Sequence, residues 1–174
     1  MKTKLKLAAG ISAAFAAGAL FGPLNGAGAG HSNALLEADL RGRNEVAANA
    51  TSSRNVGDPN GRGEAYVFGV DNDPTTLCYV LTVEKIAPAT AAHIHEGAPG
   101  ENGPVVANLA APADGNAADC LTEGETGPGT TPKFPTGEAG IVQDILANPG
   151  DYYVNVHNAE HPGGAIRGQL RAQG

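Results

Sequence analysis

The chain has 174 residues and a formal charge of -7, from 18 acidic side chains against 11 Lys and Arg. That balance excludes a nucleic-acid-binding surface built on clustered cations. With 25 Gly, 12 Pro and no Trp, the composition favours short elements joined by many turns.

The first stretch reads as a leader rather than as part of the fold. Lys2, Lys4 and Lys6 make a basic start, Leu7 to Phe21 is an uncharged apolar run, and Ala27-Gly28-Ala29 is a small-residue cleavage motif. The run is too short and too rich in Ala and Gly for a membrane span, which needs about 20 apolar residues. Cleavage after Ala29 is favoured. Cleavage after Gly30 would instead expose His31 as an amine-plus-imidazole copper chelator. Loss of the leader removes three lysines and takes the charge to -10. No second hydrophobic segment follows, so the mature chain, 30–174, reads as one secreted domain with no membrane span.

Residues 34–46, ALLEADLRGRNEV, are predicted as the first strand, and 47–63 as loop with Asp58-Pro59-Asn60-Gly61 turn chemistry. Residues 64–70 form a second strand. Thr76 to Ile86 is the strongest strand, with Leu77, Tyr79, Leu81 and Val83 on one face. Shorter strands follow at 90–95 and 105–109. Residues 110–135 are polar, without periodicity, and are expected to be a mobile loop insertion. Ile141, Val142, Ile145 and Leu146 have helical spacing, stopped at Asn148-Pro149-Gly150. Residues 151–157 and 165–170 close the chain as strands. On the first, Tyr152, Val154 and Val156 oppose Tyr153, Asn155 and His157. This pattern is all-β with one short helix, a β-sandwich or flattened barrel.

The two cysteines, Cys78 and Cys120, are expected to pair as a disulfide in an exported protein. Neither has a nearby Cys or His in sequence that would favour a metal role.

Four of the five histidines fall in two short segments, AAHIHEGAPGENGP (91–104) and NVHNAEHPGG (155–164). On a strand, His93 and His95 share a face while Ile94 points to the other. His157 supplies a third imidazole, and neutral imidazole suits copper or zinc. His161 or Glu96 is a candidate fourth ligand, or a partner that orients an imidazole. The plainer alternative is that these histidines are hydrogen-bonded loop-end residues. Arg167 has two readings: a cation that guides a small anion, or a structural arginine paired with Glu96, Glu45 or Asp151. Glu45 itself reads more simply as an edge carboxylate than as a ligand. The glycines at 97, 100 and 103 fit turn geometry, since no phosphate-loop Lys or following helix accompanies them. No nucleophile elbow supports a hydrolase.

Three segments carry a family resemblance: LRGRNEV (40–46), AHIHEGAPGENGPVV (92–106) and YYVNVHNAEHPGGAIRGQL (152–170). In these the chain resembles the CHRD domain, the module described in chordin and found in exported bacterial proteins. The resemblance implies an immunoglobulin-like β-sandwich. It also implies copper-dependent superoxide dismutase activity, attributed to some bacterial members. The layout is similar to copper–zinc superoxide dismutase as well: a His-x-His on a strand, a distant His, a disulfide and a late arginine. What carries over is His93, His95 and His157 as copper ligands and Arg167 as an anion guide. The long histidine- and aspartate-rich zinc loop of that enzyme has no counterpart, which leaves a second metal without ligands. Two classes of function follow. One is an exported copper protein with superoxide dismutase-like chemistry. The other is a cell-envelope binding module, or a copper or zinc carrier, with a protein or glycan partner.

Overall fold

The computed structural model describes residues 35–47 and 56–173. The expected leader, both cleavage positions and His31 lie outside the described residues. Strand β1 (Leu35–Arg41) alternates as a strand with one core face should, burying Leu36, Ala38 and Leu40. It stops short of the expected Val46, because Gly42–Asn44 tighten into a 3-10 turn.

Strands β2 (Arg62–Val70) and β3 (Asp73–Glu84) form a hairpin through Asp71-Asn72. Asn72 takes a left-handed φ of 62°, which asparagine tolerates at a two-residue turn. Strands β4 (Ala89–Glu96), β5 (Val105–Leu109) and β6 (Asn116–Thr122) come next. The single α-helix among the described residues is α1 (Ile141–Ala147). It buries Ile141, Val142 and Ile145, as the spacing predicts. The Glu123 carboxylate caps it from a distance, accepting the N–H groups of Gly140 at 2.9 Å and Val142 at 3.1 Å. Strands β7 (Tyr152–Asn158), β8 (Ile166–Gln169) and β9 (Arg171–Ala172) complete the chain.

The strands make one antiparallel sheet in the order β5-β4-β7-β8-β1-β2-β3-β6, with β9 beside β1. Its two edges approach each other through the segment around Lys133. The Lys133 carbonyl accepts from Asn108 N–H on β5 at 2.8 Å, and its ammonium meets Asp119 on β6 at 3.1 Å. The sheet thus nearly closes around one apolar core. Val106 and Ala107 enter that core from one edge and Leu121 from the other. The fold is all-β with one short helix.

The expected loop insertion over 110–135 is corrected in its middle. Residues 116–122 form β6, in register with β3 from Thr76↔Thr122 to Thr82↔Asn116. Most of its side chains are exposed and only Leu121 is fully buried, so no alternation marks it in the sequence. The β3 ladder and a covalent bond hold it instead. Cys78 and Cys120 stand directly opposite and are joined as a disulfide.

Among the described residues, no helix is long and apolar enough to cross a membrane.

Candidate metal centre

Alternation along β4 puts Ala92 and Ile94 into the core, both 0% exposed, and turns His93 and His95 to the opposite face. Strand β7 lies beside it with Ala91↔His157, His93↔Asn155 and His95↔Tyr153 as register partners. Tyr152, Val154 and Val156 belong to the core cluster, so Tyr153, Asn155 and His157 share the face of the β4 histidines. One strand pairing therefore assembles three imidazoles from positions far apart in sequence.

His93, His95 and His157 each offer a ring nitrogen within 4.8 Å of the others, and all three are half-buried. His93 Nδ1 lies 3.1 Å from His157 Nε2. The two Gly/Pro-rich segments explain how the rings are held. After His95 the chain folds back, and the Gly103 carbonyl accepts His95 Nδ1–H at 3.0 Å. A side chain at Gly103 would put a Cβ 1.7 Å from the Glu96 carbonyl oxygen, so only glycine allows this approach. After His157, Asn158 Oδ1 accepts His161 N–H at 2.7 Å and fixes a turn. That turn presents the Pro162 carbonyl to His157 Nδ1 at 3.1 Å.

With Nδ1–H donated to a carbonyl, both rings carry their lone pair on Nε2. Such an outer hydrogen bond fixes the tautomer of a metal-ligating imidazole. His95 Nε2 is buried with no hydrogen-bond partner among the described residues. An orphaned buried acceptor beside two other imidazoles is the chemistry of a cation site.

Burial pushes the pKa of all three rings down. For His93 it falls to about 4, chiefly by burial, with added repulsion from His157 and His95. For His95 and His157 the carbonyl hydrogen bonds partly oppose the same effect. All three are neutral near pH 7, the state a ligand needs. A cleft of about 540 Å³ opens over His95 and His157, walled by Tyr153, Asn155, His161 and Gly164.

The CHRD domain family model matches residues 36–170, from β1 into the end of β8 and Leu170. The chain belongs to the CHRD-domain family. No curated protein and no solved structure matches it.

In this CHRD domain the other predicted residues take separate places. His161 walls the cleft, but its Nδ1 lies 3.1 Å from the Val56 carbonyl, and it stands outside the three-histidine group. Glu96 is exposed and lies outside that group as well. Arg167 is 2% exposed. It donates to Asn102 Oδ1 at 3.1 Å and to the Ala98 carbonyl at 3.4 Å, and its Cζ sits 3.3 Å from the Tyr153 ring centroid. No ion pair joins it to Glu96, Glu45 or Asp151 among the described residues. Tyr153, Asn102 and Gly103 were not singled out as site residues from the sequence. Alternation placed Tyr153 on the histidine face, and that was the available signal.

Glu45 is no edge carboxylate. The 3-10 turn after β1 carries it inward to 8% exposure. Its Oε1 has no hydrogen-bond partner among the described residues, and its Oε2 receives only a long contact from Asn155 Nδ2 at 3.5 Å. Gly164 makes the room: with φ at 135°, a Cβ there would fall 2.3 Å from Glu45 Oε2. Burial raises the Glu45 pKa to about 8, against the opposing pull of Arg167 and Asn155. A folded pKa above the unfolded value means the folded protein holds a proton that the unfolded chain releases. Stability is therefore fully present below about pH 4.5 and declines as the pH rises toward 8. Glu45→Gln should leave the metal-free protein nearly unchanged at pH 4, where Glu45 is mostly protonated in the folded and unfolded chains alike. At pH 9 it should stabilise it by about 4 kcal/mol, since each pKa unit between 4.5 and about 8 is worth about 1.4 kcal/mol. Thermal melts at the two pH values measure this; a variant no more stable at pH 9 than its parent refutes the buried-acid assignment.

Proposed function

We propose that this protein is an exported copper-binding CHRD protein whose site is His93, His95 and His157, with superoxide dismutase-like activity. The observation that carries this reading is the pre-set tautomer pair. His95 and His157 both spend Nδ1–H on backbone carbonyls, and His95 Nε2 is left buried and unpartnered beside the other two rings. A bound copper ion would supply the one-electron chemistry that superoxide dismutation needs.

The chain's own residues do the rest. The three imidazoles would hold the ion as neutral ligands, His93 keeping its single ring proton on the nitrogen that does not face the ion. Tyr153 and the Gly103 turn would keep His95 in place, and the cleft would admit a small molecule from solvent. Export accords with the basic, apolar leader and with the disulfide. Zinc is the alternative ion for the same ligands.

One observation favours a second reading, metal carriage without turnover. The cleft walls include Glu160 but no Lys or Arg among the described residues, and Arg167 is buried. An anion would be drawn in only through the field of Arg167, not by contact with it.

Metal analysis and superoxide turnover of the copper-loaded, dialysed protein test both readings. One tightly held copper with turnover supports the enzyme, copper without turnover supports the carrier, and no retained metal overturns the site. A pH series adds a signed prediction. Ligands with depressed pKa yield to protons late, so copper should be retained from pH 8 to about pH 5 and lost toward the His93 pKa of about 4. Release centred near pH 6.5 would contradict the buried, neutral state of these rings.

A further inference from the structure

The Tyr153 ring engages both His95 and Arg167. The His95 and Tyr153 rings are stacked, with centroids 4.8 Å apart and planes within 5° of parallel. The Arg167 guanidinium carbon lies 3.3 Å from the centroid of the same tyrosine. A cation over an aromatic face is attracted to the ring and is strongest when desolvated, as here at 2% exposure. The 98–103 turn ties the three together. Asn102 Oδ1 and the Ala98 carbonyl accept from Arg167. Gly103 uses both of its backbone groups, donating N–H to the Tyr153 hydroxyl at 3.2 Å and accepting from His95 Nδ1 at 3.0 Å. The Asn102 amide also donates to the Val46 and Ala47 carbonyls, pinning the turn to the end of the β1 segment.

We infer that Arg167 and Tyr153 are positioning residues of the metal site: Arg167 clamps the Tyr153 ring, and Tyr153 with Gly103 holds His95 in the orientation that leaves its Nε2 free. This rests on the proposed metal reading for its consequence, but not for its geometry. It gives the buried arginine a role that needs no contact with a substrate anion. The role depends on a planar guanidinium, which lysine cannot supply.

The test uses the whole mature protein and copper(II) alone as the probe. Tyr153→Leu removes the stack, Tyr153→Phe keeps it, and Arg167→Lys keeps the charge without the plane. Outer partners of ligating histidines typically govern about 10–100-fold in metal affinity. Tyr153→Leu and Arg167→Lys should each weaken copper(II) binding about tenfold. Both should also change the copper electron-paramagnetic-resonance spectrum. Tyr153→Phe, which keeps the stack but loses the bond from Gly103 N–H, should fall between the parent and Tyr153→Leu in both measures. The double variant Tyr153→Leu/Arg167→Lys should lose clearly less than the two single losses combined, because much of the arginine's hold on His95 runs through the tyrosine.

Parental spectra and affinities in both Tyr153→Leu and Arg167→Lys overturn the proposal, as does full additivity in the double variant. A readout without metal separates this from failure of the copper reading. Nitrogen-15 NMR of the metal-free parent should show His95 as a single Nδ1–H tautomer, and Tyr153→Leu should show tautomer exchange. If the parent binds no copper, the metal reading falls, and this tautomer comparison still decides the positioning role. An unchanged tautomer in Tyr153→Leu overturns it.

Discussion

Replacing His93 with alanine should weaken copper binding by more than about a hundredfold, beyond the loss typical of an outer partner, while the fold survives. His93 shares its site with His95 and His157, and its Nδ1 is the atom in contact with His157 Nε2. Its removal leaves two imidazoles, too few to hold the ion against dialysis. The fold should tolerate the change because the ring lies outside the apolar core. The core positions on β4 are Ala92 and Ile94, and neither is touched. Metal-free stability should change by less than about 1 kcal/mol. It should even gain slightly below pH 6.5, where the folded protein resists a proton that unfolded His93 would accept. His157→Ala should behave the same way, and His161→Ala should retain copper. Competition titration against a copper chelator measures all three. Unchanged copper affinity in both His93→Ala and His157→Ala would remove the site altogether.

Loss of the disulfide should have the largest effect on stability. Cys78 and Cys120 are 42 residues apart in sequence, and the closed loop contains β4, β5 and the Gly103 turn. Closing a loop of that length is worth about 4 kcal/mol in the chain-entropy account. The consequence should be sharpest at β6, an edge strand with one fully buried side chain, Leu121. Cys78→Ser/Cys120→Ser should lower the melting temperature by about 10 °C and reduce the denaturation midpoint. Hydrogen exchange should show β6 opening first. Copper affinity should stay within about threefold of the parent, since the histidines stand on β4 and β7 rather than on β3 and β6. A melting temperature within 2–3 °C of the parent's would show that the β3–β6 ladder holds without the covalent bond.

The parts of the fold that were legible in the sequence are those governed by neighbours along the chain. The alternation of β3 and β7, the helical spacing of Ile141, Val142 and Ile145, and the Gly/Pro turns all follow from local geometry. The same local rule put His93 and His95 on one face and His157 with Tyr153 and Asn155 on another. The segment over 110–135, rich in Gly, Pro, Thr and acids and without periodicity, concealed β6, because an edge strand with little to bury need not alternate. Glu45 was misplaced for a related reason. A 3-10 turn at Gly42–Asn44 redirects the chain, and nothing in LRGRNEV marks where a strand ends and a buried acid begins.

Sequence by itself therefore determined the all-β class, the family, the disulfide partners and which imidazoles share a strand face. All of these depend on spacing, residue type or a long matching pattern. Tertiary structure alone decided that β4 and β7 are neighbours in a register that brings three ring nitrogens together. It decided that two carbonyls set the His95 and His157 tautomers, and that His161 stays outside the group. It also made Arg167, which reads from sequence as an anion guide or as a structural arginine paired with a carboxylate, a buried partner of Tyr153. Those outcomes depend on strand register, on where turns fold back and on what each side chain displaces from water. Such contacts join residues dozens of positions apart, and no local pattern encodes them.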